Sequence, residues 1–345
     1  MPEARWPGTD RQEVSPRIIL DLINGKRRAQ AVCVAAELGL ADILKDGPRS
    51  TAEIASIADV SEDAVYRLLR ALASLGLFSS LPGRRFALTP LGAYLRSDVP
   101  GSLRGAARFA GHDVTWRPWG DLAYSVRTGT PAFVHIFGMR SFDYYTQHPD
   151  VAAIVNDAMT AVTTTESTAI VTAYDFSRVG NLVDVGGGHG LLLASILKTA
   201  PDTHGILFEL PYAAEGAGAL LSREGLAHRS TVMGGDFFES VPEGGDLYVL
   251  KKVIHDWNDE RAGQILRNCH RAMRPHAKVL LMERVITAGD EPDARKFADL
   301  EMLVLNYGRE RTEGEFEDLY GKAGFRLTRV LPTTTPLSII EGVRL

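Results

Sequence analysis

A histidine at position 255, in "VIHDWNDE", stands between an apolar run and a helical pattern. Two acids downstream occupy comparable places: Glu283 closes "KVLLMERV" and Glu310 lies in "NYGRERTEGEFE". An imidazole of near-neutral pKa is a suitable base for a phenol or alcohol, and a carboxylate on its other nitrogen fixes the tautomer and stabilises the imidazolium. A lone histidine is more often structural than catalytic. The reading therefore rests on the constellation, in which His255, Glu283 and Glu310 share the carboxyl edge of one sheet.

A second chemistry lies upstream, in "NLVDVGGGHGLLLASILKTAPDTHGILFEL". In a doubly wound sheet the first strand-to-helix turn presents backbone N–H groups to an anionic ligand, and glycine permits close approach. A dinucleotide turn reads GxGxxG or GxGxxA. Here Gly186, Gly188 and Gly190 give GxGxG, and Leu191 stands where the last small residue belongs. That spacing suits a smaller nucleoside whose carboxylate meets the turn. Glu209, with Leu210 beside it, ends the next strand, where a carboxylate accepts both hydroxyls of a ribose. It does not by itself decide between NAD and S-adenosylmethionine. Asp236 and Phe237 follow the third strand in "MGGDFFE", offering an acceptor for an adenine amino group and a ring to cover its face. Lys251 ends the fourth strand, facing the same crevice.

These positions need a parallel sheet. Apolar runs at 181–185, 205–208, 231–233, 247–250 and 278–282 alternate with helical patterns, implying βαβ units. The closing "FRLTRVLPTTTPLSIIEGVRL" reads as a hairpin that adds an antiparallel strand. Upstream, residues 17–44 carry long helical periodicity with a glycine interruption. Two further helices follow, with capping-box spacing at Ser50 and Glu53 and a cap at Ser61. A hairpin around Pro82 and Gly83 completes a winged helix-turn-helix pattern. Residues 101–138, aromatic and glycine-rich without a clear period, read as connecting helices and loops, and 139–174 return to helix.

Composition bounds the function. At 345 residues, with 45% hydrophobic and 23% charged, the chain suits about two domains with a large core. No run of 18 apolar residues lacks a charge, and "MPEARWPGTDRQEVSP" has no apolar region behind its basic residues, so cytoplasmic residence without a membrane span is expected. Cys33 and Cys269 fall in helical apolar patterns and read as buried free thiols. A formal net charge of −5 argues against a surface that coats nucleic acid. The winged helix raises a DNA-binding regulator as a rival reading. Against it, residues 1–110 hold 15 Lys and Arg against 12 Asp and Glu, and the candidate recognition helix carries only Arg67 and Arg70 as basic residues.

The blocks "LVDVGGGHG", "FELP", "GDFF", "LKKVIHDWND" and "RERTEGEFEDLYGKAGF" resemble the signatures of class I S-adenosylmethionine-dependent O-methyltransferases of the caffeic acid and acetylserotonin type, including bacterial enzymes that tailor polyketides and antibiotics. The resemblance covers residues 17–345, and its HDW and GRERT blocks are more specific than the glycine turn. It implies an α/β fold: a winged-helix-like dimerisation domain at 1–100, a helical connector contributing to the acceptor pocket at 101–174 and a Rossmann-like methyltransferase domain at 175–345. It implies His255 as general base flanked by Glu283 and Glu310. It also implies S-adenosylmethionine held by Gly186, Gly188, Glu209, Leu210, Asp236, Phe237 and Lys251, with Thr163 near the cofactor. Met159, Asp256 and Asn306 match acceptor-pocket positions, and Trp116, Trp119, Phe133, Phe137 and Met302 are further apolar residues that could line it. The partners implied are a small hydroxylated aromatic substrate and a second copy of the chain, with no nucleic acid, membrane or metal. A relative that binds the cofactor but performs another tailoring reaction, such as decarboxylation or hydroxylation, is the remaining rival. Retention of His255 with both glutamates argues against it.

Overall fold

The computed structural model describes residues 15–345; the polar opening segment lies outside them. The chain divides into two compact units, one running to Arg117 and including Tyr145–Val162, the other formed by Pro118–Tyr144 with Thr163–Leu345.

In the first unit, α1 (Pro16–Glu37) starts at a Ser15 cap with Pro16 in its first turn, where a missing N–H costs nothing. The helix runs unbroken through Gly25 and stops at Leu38, after which Gly39 takes φ 63°. The interruption therefore falls at Gly39, where a left-handed residue is needed to turn the chain. α2 (Leu40–Ile43), β1 (Arg49–Ser50), α3 (Thr51–Ala58) and α4 (Glu62–Ala73) follow, with the Ser50–Glu53 capping box formed and Ser61 capping α4. β2 (Phe78–Leu81) and β3 (Arg85–Leu88) form the expected hairpin, and β1 pairs antiparallel with β3. Leu40, Ile54, Leu69, Phe78 and Phe86 fill the core beneath them. On α1, Ile19, Leu20, Leu22 and Ile23 are all more than half exposed. α5 (Arg104–Gly111) packs on the same helix, and a Cβ at Gly111 would come within 2.4 Å of Cys33 Cβ.

The stretch without period consists of short helices, α6 (Asp113–Gly120), α7 (Leu122–Thr128) and α8 (Ala132–Phe137), the last two each closed by a left-handed glycine. α9 (Ser141–Gln147) and the 25-residue α10 (Pro149–Ala173) come next, α10 contributing to both units.

The second unit is built on β4 (Asn181–Val185), α11 (Leu191–Thr199), β5 (His204–Glu209), α12 (Pro211–Arg223), β6 (Ser230–Gly234), β7 (Leu247–Lys251), α13 (Asp259–Ala272), β8 (Lys278–Arg284), α14 (Arg295–Leu305), α15 (Glu313–Ala323), β9 (Phe325–Pro332) and β10 (Leu337–Arg344). The sheet order is β6-β5-β4-β7-β8-β10-β9; β4 to β8 pair in parallel, and β10 runs antiparallel to both neighbours. Burial on both faces explains the continuous apolar runs: Val183 and Val185 enter one core, Leu182 the other. Strand order reverses between β4 and β7, so the crevice over their carboxyl ends is the switch point where such sheets take ligands.

Candidate active site

From β4 the chain turns through Gly186 (φ 70°), Gly188 (φ 55°) and Gly190 (φ 81°) into α11. These are conformations only glycine adopts freely. A Cβ on Gly186 would sit 2.8 Å from Val253 Cγ2, and one on Gly187 2.6 Å from Asp184 Oδ2. Glu209 at the end of β5 accepts from the Gly188 N–H (3.0 Å) and the Leu210 N–H (2.8 Å), one on each carboxylate oxygen. Each oxygen keeps capacity for a further donor. Beneath the turn, Asp184 is fully buried and neither of its oxygens makes a well-formed hydrogen bond. Burial raises its carboxyl to about 7, Glu209 adds to this, and Lys251 and the Leu193 N–H pull the other way. A carboxylate left uncompensated there favours a cation above it, such as the ammonium end of an amino-acid-bearing nucleoside. The turn thus offers glycines for close backbone approach, carboxylate oxygens on Glu209 with room for further donors, and a buried negative charge at Asp184.

After β6, Asp236 Oδ1 accepts from the Phe238 N–H (2.8 Å), which shapes the loop there. Phe237 is half-buried, edge-on to Phe238 and Trp257. Lys251 is committed elsewhere: its Nζ donates to Thr163 Oγ1 (3.0 Å) and pairs with Glu166 (2.9 Å). The next residue, Lys252, pairs with the other Glu166 oxygen at 2.6 Å from a left-handed backbone (φ 54°). Burial works against the Glu166 charge, but the two ammonium groups outweigh it and hold the carboxyl below its usual range.

His255 follows β7 in a 3-10 turn and is 7% exposed. Its Nδ1 lies 3.2 Å from Glu310 Oε1 and 3.8 Å from Glu283 Oε2. Burial alone lowers an imidazole pKa, yet Glu283, Asp256 and Glu310 outweigh it and hold His255 at about 9. Glu283 braces the turn, its Oε1 accepting the N–H groups of Val253 (3.1 Å), Ile254 (2.8 Å) and His255 (3.4 Å). Burial and the neighbouring acids push its carboxyl to about 7 despite His255. Glu310 stays below the usual carboxylate range: burial opposes this, but His255 and Arg284, whose Nη1 is 2.9 Å away, prevail. The ligand atoms of His255, Glu283 and Glu310 lie within 4.8 Å of one another, a set that could also hold a cation.

A strap after α14 fixes this turn. Gly308 passes so close that a Cβ would fall 1.9 Å from the His255 carbonyl oxygen, and the Arg309 N–H donates to that oxygen at 2.8 Å. Arg311, 1% exposed, donates to the carbonyls of Ile254 (3.3 Å) and Trp257 (2.9 Å) on either side of His255, while Asp259 holds its guanidinium at 2.8 Å.

Asp256 Oδ1 lies 3.8 Å from His255 Nε2 and accepts from Asn306 Nδ2 at 2.9 Å; Ser141 in turn donates to Asn306 Oδ1. A cavity opens beside Asp256 and Asn306, lined by Val134, Phe142, Leu305 and Tyr307 together with Arg140 and Arg261. The apolar lining is therefore offset from the expected residues: Phe133 and Met302, sequence neighbours of these positions, turn into the core at 0% and 7% exposed. Met159 lies half exposed on the part of α10 that belongs to the first unit.

Against known families, residues 119–326 match the O-methyltransferase domain and residues 20–98 the O-methyltransferase dimerisation domain. The chain belongs to the S-adenosylmethionine-dependent O-methyltransferases. Within this family it is 42% identical over 325 residues to the phenazine O-methyltransferase PhzM of Lysobacter antibioticus, covering 94% of this chain and 95% of that one. It superposes on the mitomycin 7-O-methyltransferase MmcR with a TM-score of 0.90 at 38% identity, covering 95% and 97% of the two chains. The O-methyltransferase NcsB1 from neocarzinostatin biosynthesis, solved with S-adenosylmethionine and 2-hydroxy-5-methyl naphthoic acid, matches with a TM-score of 0.81 at 34% identity over 92% and 96%. As an O-methyltransferase the chain has site residues that sequence reasoning passed over. Asp184, Lys252 and Arg311 lie inside the blocks "LVDVGGGHG", "LKKVIHDWND" and "RERTEGEFEDLYGKAGF", but nothing local tells that Asp184 is buried without a partner or that Lys252 and Arg311 pair far along the chain, and Glu166 lies in no such block. Gly308 has a mark of the same kind, a glycine directly before the specific "RERT" block.

Proposed function

We propose that this O-methyltransferase transfers a methyl group to a phenolic hydroxyl of a small aromatic secondary metabolite, with His255 as general base. One observation carries the reading: a buried imidazole whose Nδ1 faces Glu310 at 3.2 Å and Glu283 at 3.8 Å while Nε2 faces Asp256 beside the cavity. Gly186, Gly188, Glu209, Leu210, Asp236 and Phe237 would hold S-adenosylmethionine, with Thr163 and Lys251 as a linked pair at its edge. When bound, it supplies an electrophilic methyl on a sulfonium sulfur. His255 Nε2 takes the hydroxyl proton as the acceptor oxygen attacks, and Glu310 steadies the imidazolium through Nδ1. Asp256 and Asn306 orient the acceptor, and Met159 is assigned to its ring. Alignment supplies the larger part, since positioning is worth roughly 7–11 kcal/mol and a general base about 10²- to 10⁴-fold. The phenolic class is supported by the naphthoic acid ligand of NcsB1 and by the apolar lining of the cavity. The chemistry is assigned to the protein without a metal: Arg284 and His255 already set positive charge beside Glu310 Oε1 and three backbone N–H groups occupy Glu283 Oε1, while Oε2 of each glutamate stays buried without a hydrogen-bond partner.

The test is incubation of the protein with S-adenosylmethionine and a panel of hydroxylated aromatics, read by mass spectrometry. A gain of about 14 Da, one CH₂, that depends on the cofactor and persists after chelation is expected. Loss of that gain on chelation, restored by a divalent cation, would overturn the metal-free assignment.

A further inference from the structure

Behind the loop of Asp236 and Phe237, α13 and α15 bound a cleft of about 530 Å³ lined by Arg267, His270, Arg271 and Lys322, with Gln264 and Asn268 also on its wall. No carboxylate lines it, and among the described residues none of its three full cations is in an ion pair. Arg267 and Arg271 stand one helical turn apart on α13, a spacing at which like charges repel and weaken the helix. The concentration of positive charge is unusual on a chain of formal net charge −5.

Helix ends account for part of this. His270 and Arg271 lie in the last turn of α13 and Lys322 in the last turn of α15, where cations are favoured. That account does not reach Arg267, a turn earlier, nor does it explain why the cations of two helices converge on one concave surface with no acid among them. The two helix ends together bring about one negative charge, against three full positive ones.

We propose that this cleft binds a phosphate-type oxyanion, either free or as the monoester of a small metabolite. Guanidinium groups present paired donors to such an ion, and Lys322 adds a point charge from the facing helix. The cleft also reaches the back of the cofactor loop. Asn268 Nδ2 donates to the Phe237 carbonyl at 2.7 Å, Gln264 Nε2 to the Phe238 carbonyl at 2.9 Å, and Arg271 donates to Asn268 Oδ1. An oxyanion on Arg271 therefore acts on the side chain that anchors Phe237.

Calorimetric titration of the full chain with inorganic phosphate and with glycerol 3-phosphate, at fixed ionic strength against chloride, tests this. Saturable binding is expected, weakened about ten-fold or more by Arg267→Gln, Arg271→Gln or Lys322→Gln, each of which removes a charge-assisted contact. Tighter binding of glycerol 3-phosphate would identify a monoester site, and equal binding a free-ion site. Thermal unfolding supplies a second reading. Without oxyanion the variants should melt at or above the wild type, since repulsion is relieved, and only the wild type should gain stability when phosphate is added. Heats no different from chloride for both probes, undiminished binding by the variants, or binding of an acidic peptide in the absence of any phosphate response would overturn the proposal.

Discussion

His255 sits among more negative charge than a neutral base needs, and this sets how the reaction should respond to pH. An imidazole held at about 9 carries its proton at neutral pH and must lose it before it can accept another. The rate at sub-saturating acceptor should therefore rise with pH through the neutral range toward that value, as a property of the coupled His255–Glu283–Glu310 group. Glu310→Gln removes one of the charges that raise the imidazole, so the rising limb should move to lower pH while the maximum falls modestly. His255→Gln should lower turnover roughly 10²- to 10⁴-fold and leave cofactor affinity within about three-fold, by turnover and calorimetry respectively. Retained turnover in His255→Gln, or a loss larger in Glu310→Gln than in His255→Gln, would remove the base from the mechanism. His255 and Glu283 are legible because each stands at or just after the end of a strand whose apolar run is plain, whereas Glu310, in the strap between α14 and α15, is marked only by its place in the "RERT" block. Glu166 is not legible: its lysine partners lie over 80 positions away, and nothing local in "TTTESTAI" marks an acid that will be buried between them.

Among the elements, the strap carrying Gly308, Arg309 and Arg311 grips the turn around His255: the Arg309 N–H holds the His255 carbonyl and the Arg311 guanidinium the carbonyls of Ile254 and Trp257. Gly308→Ala places a methyl where the His255 carbonyl oxygen already is, so the turn must move. A displacement of about 1 Å at a reacting group can cost 10²-fold, and a fall in kcat of about that size is expected, with cofactor affinity nearly unchanged. Wild-type kcat in that variant would show that the strap yields without moving the base. On β10, between β8 and β9, Glu341 is 3% exposed and meets Tyr174, Thr328, Arg329 and Lys278 at 2.8 to 3.1 Å. Burial opposes its charge, but these donors hold its carboxyl down at about 2. With the folded pKa depressed below the unfolded value near 4.5, its contribution is complete above that value and is lost as pH falls toward 2. Glu341→Gln should cost on the order of 2 kcal/mol at pH 7 and progressively less in acid, by denaturant unfolding at several pH values. A cost that stayed constant down to pH 2 would mean packing, not charge, is what the variant loses. The hairpin of β9 and β10 is readable from the two runs on either side of "PTTT", but this ion cluster needs the β10 register to bring its members together.

For the whole molecule, the dimerisation domain and the apolar side chains standing out from α1 support a homodimer. Ile19→Glu combined with Ile23→Glu should give monomer mass by light scattering, whereas the wild type should keep dimer mass on dilution to micromolar concentration. Wild-type protein at monomer mass throughout would dismiss the idea. The parallel sheet and the winged helix-turn-helix were both visible in the sequence, since period and capping residues are local signals. The division into units was not, because compactness depends on where separated segments return. The chain crosses between its two units three times, after Arg117, Tyr144 and Val162. For recombination between relatives this matters. A single crossover near residue 100 would join one parent's opening helices to the other parent's Tyr145–Val162, so the first unit would be a mosaic with a mismatched interior. Only an exchange that carries both of its segments together transplants that unit intact, and chimaeras spliced at one point should be recovered folded less often than those spliced at three.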